Sequence, residues 1–580
     1  MRKHHQQHSR HETGSPEAAP QTPLPNTTKP TSVVVDLPAQ MYLIGCATKT
    51  LTGASGQTMG FKAWNLLRMT ELGLPVPPAF VLGTDYSVNP ASRDRAATPE
   101  VWRVGLTALE AATGLAFGDA ARPLLLSVRS GAAVSMPGMM ETLLNIGLCD
   151  ATISGLVRLT GNPRLAWDAY RRLVATYGEV VANLPAAVFE SANTELFGAR
   201  DCDDLDFIEL RQLTHRYLEL YAQTAGHPFP QQPEQQLSGA IGAVLASWNS
   251  AKASEYRRLK KISDAIGTAV TVQNMVFGNA GGRSGAGVGF TRDPASGERA
   301  LWVDFLFNAQ GEDVVSGRRS AQGHEELSTI LPAVWLELEH AAAKIEQAFH
   351  DMQDFEFTVE DGKLFMLQSR DGKRTPRAQA RIALDLFDEG IIDHATASAR
   401  TAGIDRENLA SSRIIAENGM APKSLGRAAT ASSGIATGEI ALDEARVKAR
   451  HGAGVDIILV RRDAETADLA ALELAKGLLT ARGARTSHAA VIARQLGTVC
   501  LVGCADLQID TTTRTIKFGD AIYHEGELLT LDGNSGDIYA GTIKTETDYP
   551  EDLLARLKSL RDSIEAQIGQ PKPTLPLSLR

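Results

Sequence analysis

"GLLTARGARTSHAAVIARQLGTVCLVG", residues 477–503, decides how this chain is organised. The apolar run Gly477–Thr480 predicts a buried strand. A loop with Gly483 follows, and Thr486 or Ser487 stands where a helix cap is expected. His488 then occupies the first turn of a helix that Gly497 stops, and "TVCLVG" returns as a second strand. The positive end of the helix dipole disfavours an imidazolium there by about 0.3–1 kcal/mol, so the ring tends to stay neutral at pH 7. A neutral imidazole is what a nucleophile requires. A negatively charged adduct on the same ring would be favoured by the free N–H groups of the first turn. Spacing alone does not separate this role from that of a bystander histidine at a helix start.

Outward from this stretch, a compact α/β pattern runs from about 425 to 545, including "DIILVRR" before it and "ELLTLDGNSGDIYAG" after it. Upstream lies a helical stretch rich in alanine and charge, roughly 376 to 415. Before that, "LPVPPAFVL", "PLLLSVRS", "AVTVQNMVFG", "GAGVGFTRD" and "KLFMLQSR" read as strands, and residues from about 150 to 265 as mostly helical. The chain closes with an amphipathic helix at about 550–567, whose stripe of Leu553, Leu554, Leu557, Leu560 and Ile564 is expected to pack on its own domain, docking of a partner being the alternative. The first residues are rich in His, Pro, Thr, Gln and Ser, and His4, His5, His8 and His11 read as part of a solvated tail rather than a metal site.

With 580 residues, three or four units are expected at roughly 100–200 residues each. A net charge of −10 offers no basic excess for a phosphate backbone, which argues against a nucleic-acid partner. The five cysteines form no CxxC pair and fit reduced thiols, and with no run of about 18 apolar residues and no apolar leader the expectation is a cytoplasmic protein with no membrane segment.

The chemistry-bearing residues cluster in a few motifs. Asp354 and Glu356 alternate in "DFEFTVE", so they share one face of a strand; Gln368 and Arg370 do the same on the next. A hairpin would bring the four together. An acidic pair plus an amide suits Mg²⁺, a hard ion that takes oxygen ligands beside nucleotide phosphates. "TVQNMVFGNAGGRSGAGVGFTRDPASGE" is glycine-rich, as loops that approach phosphates are, although hairpins need glycine too. No GxxxxGK[ST] occurs, so a Walker-type site is excluded.

"TSHAAVIAR" followed by "LGTVCLVGC" closely resembles the phosphohistidine segment of the pyruvate phosphate dikinase family. The family usually has two glycines and a Met before the Thr, where this chain has Gly483, Ala484 and Arg485. "MGFKAWNLLRMTELGLPVPPAFVL" resembles the family's opening element, with Lys62 at the phosphate-binding lysine and Phe61 where a glycine is typical. "LLLSVRSGAAVSMPGMMETLLNIGL" resembles its strand and mobile loop, with Arg129 at a polyphosphate-contacting position. "SMPGMM" resembles the phosphate-dependent dikinases more than the phosphoenolpyruvate synthases. "FNAQGEDVVSG" supplies Glu312 as a site carboxylate.

The resemblance runs from about 40 to 545 and implies a multidomain α/β and α+β fold. The expected divisions are a tail (1–38), an ATP-grasp nucleotide domain (39–375) with a helical subdomain (about 150–265), a helical linker (376–422), a swivelling α/β phosphohistidine domain (423–545), and a terminal helix and tail (546–580). It implies that ATP and inorganic phosphate phosphorylate His488, giving AMP and pyrophosphate, with Thr486 orienting the histidine. Lys62, Arg129 and Arg370 would hold phosphates; Glu312 and Asp354 would belong to the ATP site; Glu356 and Gln368 would hold Mg²⁺. The family's pyruvate- or phosphoenolpyruvate-binding barrel is expected in a separate partner, and a homo-oligomer is compatible with the sequence. The alternatives are a donor to a different acceptor, or a nucleotide-binding regulator without turnover.

Overall fold

Strands with two apolar faces have to be covered twice, and two layers of helix and a second sheet do so here. The structure, a computed structural model, describes residues 37–568 apart from 47–52, 135, 137–139, 199, 316–323, 416–421, 464–467, 484 and 486–487. The four tail histidines and Thr486 lie outside the described residues, as does the side chain of His488, although His488 opens a described helix.

The first sheet is antiparallel, in the order Met41–Ile44, Ala79–Leu82, Thr268–Asn274, Leu126–Ala132, Thr142–Ile146. Side chains alternate across it. Phe80, Leu82, Val128 and Val272 face a core shared with the helical stretch, where Tyr170, Leu213 and Ile241 are buried. Ala79, Val81 and Ala269 face the opposite core, shared with the helices Gly56–Glu71 and Pro332–Phe349 and with Phe355 and Phe357. Those two phenylalanines belong to a second antiparallel sheet, ordered Lys363–Asp371, Gln353–Glu360, Gly285–Phe290, Trp302–Phe307. A side chain at Gly287 or Gly289 would meet the ring of Phe357 or Phe355 within 2.4 or 2.6 Å. These glycines make room for core rings, so packing accounts for part of the glycine-rich motif.

The later residues form an eight-stranded sheet. Its centre is parallel, Ile435–Ala441 beside Ile457–Arg461, Gly477–Thr480 and Val499–Val502, and its flanks are antiparallel. The helix His488–Leu496 is the crossover between Gly477–Thr480 and Val499–Val502, and Gly497, at φ 72°, ends it.

One segment, the linker, differs from its expected all-helical form. The stretch 376–422 contains the helices Pro376–Asp388, His394–Thr401 and Arg406–Leu409, and then a strand, Ser411–Ile414. That strand pairs antiparallel with Thr545–Asp548, so the eight-stranded unit leaves and re-enters the rest of the molecule through one two-stranded base. After it, Glu551–Ile568 packs Leu553, Leu557 and Leu560 against Ile382, Leu386 and Ala397, in a core that also holds Phe290 and Met352. The stripe is thus satisfied within the chain; the side chain of Ile564 lies outside the described residues.

Leu557 is 2% exposed. Replacing it with Ala should cost about 2–5 kcal/mol locally. Hydrogen exchange should then quicken in both Pro376–Asp388 and Glu551–Ile568; exchange unchanged in Pro376–Asp388 would contradict this packing.

Candidate functional site

The second sheet's outer hairpin sets the register of the polar cluster. Asp354 lies opposite Arg370 and Glu356 opposite Gln368. Phe355 and Phe357 turn inward, so the four polar side chains share the other face, as the alternation in the sequence predicts. Arg370 donates its Nε–H to Asp354 Oδ2 at 2.8 Å. Asp354 is 2% exposed, and its Oδ1 has no hydrogen-bond partner among the described residues. Burial pushes this carboxyl above its usual range, and the Arg370 guanidinium pulls it back only in part.

Arg129 reaches this hairpin from the first sheet. Its Nη2 donates to Gln368 Oε1 at 3.2 Å and lies 3.5 Å from Glu356 Oε2, while Nη1 donates to the Leu367 carbonyl at 3.3 Å. Lys62 arrives from the helix Gly56–Glu71, which Ser55 and Thr58 start with a capping box. The helix is broken at Gly60, with φ 73° and ψ 150°. A Cβ at Gly60 would fall 2.0 Å from the Gly131 carbonyl oxygen, so only glycine permits this crossing. The crossing carries Lys62 over the strand that bears Arg129. Protein surrounds the ammonium although water reaches it, as on the wall of a cleft. Desolvation and then Arg129 lower the Lys62 pKa to about 8, with Glu356 opposing.

A cavity of about 330 Å³ opens between the two sheets beside this cluster. Arg129 and Glu356 line one part, Glu312 and Arg172 another, and Leu144, Met275 and Val276 give it an apolar wall. Lys62, Asp354, Gln368 and Arg370 are not on that wall; they continue beyond Arg129 and Glu356. Glu312, in the short helix Gly311–Val315, pairs with Arg172, which also meets Asp313 at 3.1 Å. Arg172 is absent from the set the motifs point to. Its signal is Asp168, a carboxylate on the buried face of the helix Pro163–Val180 with arginines three and four residues on. Among the described residues no three His, Cys, Asp or Glu side chains gather as a metal site. The available oxygens near Arg129 are those of Glu356 and Gln368, one carboxylate and one amide.

The helix that starts at His488 belongs to the eight-stranded unit, yet its approach loop touches this second sheet. Arg485 pairs with Asp304, on the edge strand Trp302–Phe307, at 2.8 Å. Of the residues singled out in the sequence, Lys62, Arg129, Asp354, Glu356, Gln368 and Arg370 therefore form one cluster, with Glu312 across the cavity.

The lowered Lys62 pKa has a definite sign. In the free protein the cation is complete below about 8 and is lost above it, whereas an ordinary lysine stays charged to 10.5. Affinity for inorganic tripolyphosphate should fall by up to about tenfold per pH unit above that point, because binding must take up a proton. Titration calorimetry from pH 7 to 10 checks this; Lys62→Arg should flatten the profile, and a flat wild-type profile would contradict the assignment.

Comparison with known proteins adds the family. Residues 95–329 and 322–390 match the pyruvate phosphate dikinase AMP/ATP-binding domain, and residues 454–536 match the PEP-utilising enzyme mobile domain. The pyruvate, phosphate dikinase of Clostridium symbiosum is 41% identical over 495 residues, covering 84% of this chain and 57% of that protein. That of Rhizobium meliloti (strain 1021) is 40% identical over 521 residues, covering 87% and 58%. The chloroplastic pyruvate, phosphate dikinase 1 of Oryza sativa subsp. japonica is 38% identical over 533 residues, covering 91% and 55%. The chain thus spans a little over half the length of these relatives. Two domain matches in order, one of them reaching from residue 95 to 390, and identities near 40% over most of the sequence establish that this chain belongs to the pyruvate phosphate dikinase family of the PEP-utilising enzyme superfamily.

Proposed function

We propose that this chain is an ATP-dependent phosphotransferase that loads a phosphoryl group onto His488. The two sheets around the cavity would act as an ATP-grasp nucleotide domain, residues 39–375, and residues 423–545 as the phosphohistidine domain. One observation carries the reading: the polar hairpin and the contact made just before His488 lie on a single sheet. Its hairpin bears Asp354, Glu356, Gln368 and Arg370, and its edge strand receives the loop before His488.

The base of ATP would lie against Leu144, Met275 and Val276, and the phosphates would run toward Arg129, Lys62 and Arg370. Arginine suits that end because its planar fork bonds two oxygens at once. One carboxylate and one amide are too few to hold a divalent cation alone, but they fit Mg²⁺ that brings phosphate oxygens with it. Glu356 and Gln368 would supply those two ligands once Arg129 turns to the phosphates, and the ion would neutralise charge on the polyphosphate. Phosphoryl transfer depends mainly on such positioning and charge stabilisation.

His488 attacks the β-phosphorus as a neutral imidazole, and the bond to the AMP oxygen breaks. Inorganic phosphate takes the terminal phosphoryl group, leaving pyrophosphate and a phosphohistidine; Thr486 would help orient the ring. The phosphoryl group would then pass from His488 to pyruvate. The paired strands Ser411–Ile414 and Thr545–Asp548 give the phosphohistidine domain a common base about which to swing between the two sites. The pivot would then lie at these paired strands rather than in the linker helices, which are packed.

ATP labelled at the β-phosphate should leave acid-labile label on His488, located by mass spectrometry under alkaline conditions. His488→Ala should abolish it. Arg129→Ala and Glu356→Ala should each slow it by about two to three orders of magnitude with the fold retained. Full labelling of His488→Ala would overturn the acceptor, wild-type rates in the other two would overturn the nucleotide site, and an unlabelled wild type would favour a regulator without turnover.

A further inference from the structure

Two arginines join the start of the His488 helix to the second sheet. Arg485, three residues before His488, donates Nε–H to Asp304 Oδ1 at 2.9 Å and Nη2–H to the Val303 carbonyl at 3.2 Å. Its guanidinium lies over the Trp302 ring, 4.1 Å from the centroid. Asp304 is 1% exposed. Arg494, two turns along the helix and 2% exposed, donates Nη2–H back to the Arg485 carbonyl at 3.3 Å and Nε–H to the Ala431 carbonyl at 2.8 Å. The Arg494 guanidinium also faces Phe290 and Trp302, at 5.4 and 5.5 Å. The carboxylates of Asp293, Asp354 and Asp304 act on it from the nucleotide side. Asp354 is the same residue that holds Arg370.

We infer that Arg485 is a positioning residue: by clamping Asp304 and Trp302 while Arg494 braces its carbonyl, it anchors the start of the His488 helix against the second sheet. The inference rests on the reading of His488 as the phosphoryl acceptor. A surface ion pair of this reach would contribute little. Here the carboxylate is buried, the pair is hydrogen-bonded, and the guanidinium is stacked on an aromatic face, so each side depends on the other. The same chemistry makes the clamp releasable. Arg485 is itself part-exposed, so salt can compete for it while the apolar rim of Trp302 and Phe290 stays in place.

The test uses Arg485→Gln, Asp304→Asn and the double variant in the full chain, with two readouts. Hydrogen exchange without nucleotide reports the contact. In Arg485→Gln, exchange should quicken at Trp302–Phe307 and at 481–497 and stay unchanged at Thr268–Asn274, which excludes general unfolding. Single-turnover labelling from β-labelled ATP reports its use. Each single variant should label about tenfold or more slowly than wild type, with the double no slower than the worse single, as for two groups that act through each other. Affinity for a non-hydrolysable ATP analogue should stay unchanged in Arg485→Gln. Unchanged exchange in Arg485→Gln overturns the clamp, and so do additive losses in the double variant. Altered exchange with wild-type labelling overturns its positioning role. Wild-type protein that does not label, while exchange still responds to the variants, marks the failure of the acceptor reading instead.

Discussion

A carboxylate taken out of water must be met by a cation, and the arrangement around Asp354 follows from that demand. Asp354 is buried in the middle of a strand, where desolvation disfavours its charge. Arg370, directly across the ladder, answers it with one hydrogen bond and is thereby held in place. The Arg370 side chain is 39% exposed, and that one bond leaves other guanidinium donors for a ligand. Two residues along, the same ladder sets Glu356 against Gln368, and Arg129 crosses from the other sheet to meet both. Desolvation, and then the positive field of Arg129 with a smaller part from Arg370, lower the proton affinity of Lys62, against the pull of Glu356. The cluster has an excess of cation with no polyphosphate bound, which suits it to hold one.

The two sheets that make the cleft share a core, and the rest of the molecule is tied to that core by charge as well as by apolar packing. Arg292, at the end of the Gly285–Phe290 strand and fully buried, meets Glu346 of one helix and Glu389 beyond the next. Asp385 in turn takes Arg556 from the terminal helix. The terminal helix, the linker helices and the second sheet therefore form one base. From that base the eight-stranded unit departs and returns through the paired strands Ser411–Ile414 and Thr545–Asp548. The chain thus enters and leaves this unit side by side.

How much of this could be read from the sequence depends on the range of the interactions. The polar face of the hairpin was legible because alternation in "DFEFTVE" and "LFMLQSR" is a local signal and the turn between them is short. The strand–helix–strand around His488 was legible for the same reason: Gly497 and the apolar runs mark its limits. The pairing of Ser411–Ile414 with Thr545–Asp548 was not, since more than a hundred residues separate the partners and neither strand has a strong apolar pattern. The glycines of Gly285–Phe290 resembled a phosphate loop but clear space for Phe305, Phe357 and Phe355, which only the packed sheet reveals. Arg172 was missed because its meaning depends on Glu312 and Asp313, more than a hundred positions away. Arg485 was visible as a departure from the family pattern, but its partners Asp304 and Trp302 were not.

In the proposed reaction ATP is split between its α- and β-phosphates and the protein retains the phosphoryl group. Phosphorus NMR of a stoichiometric mixture of the chain, ATP, inorganic phosphate and Mg²⁺, without pyruvate, shows whether it does. AMP, pyrophosphate and a phosphohistidine resonance should appear together in equal amounts, each limited to one per chain. ADP as the product, or AMP released without any protein-bound phosphorus, would contradict it.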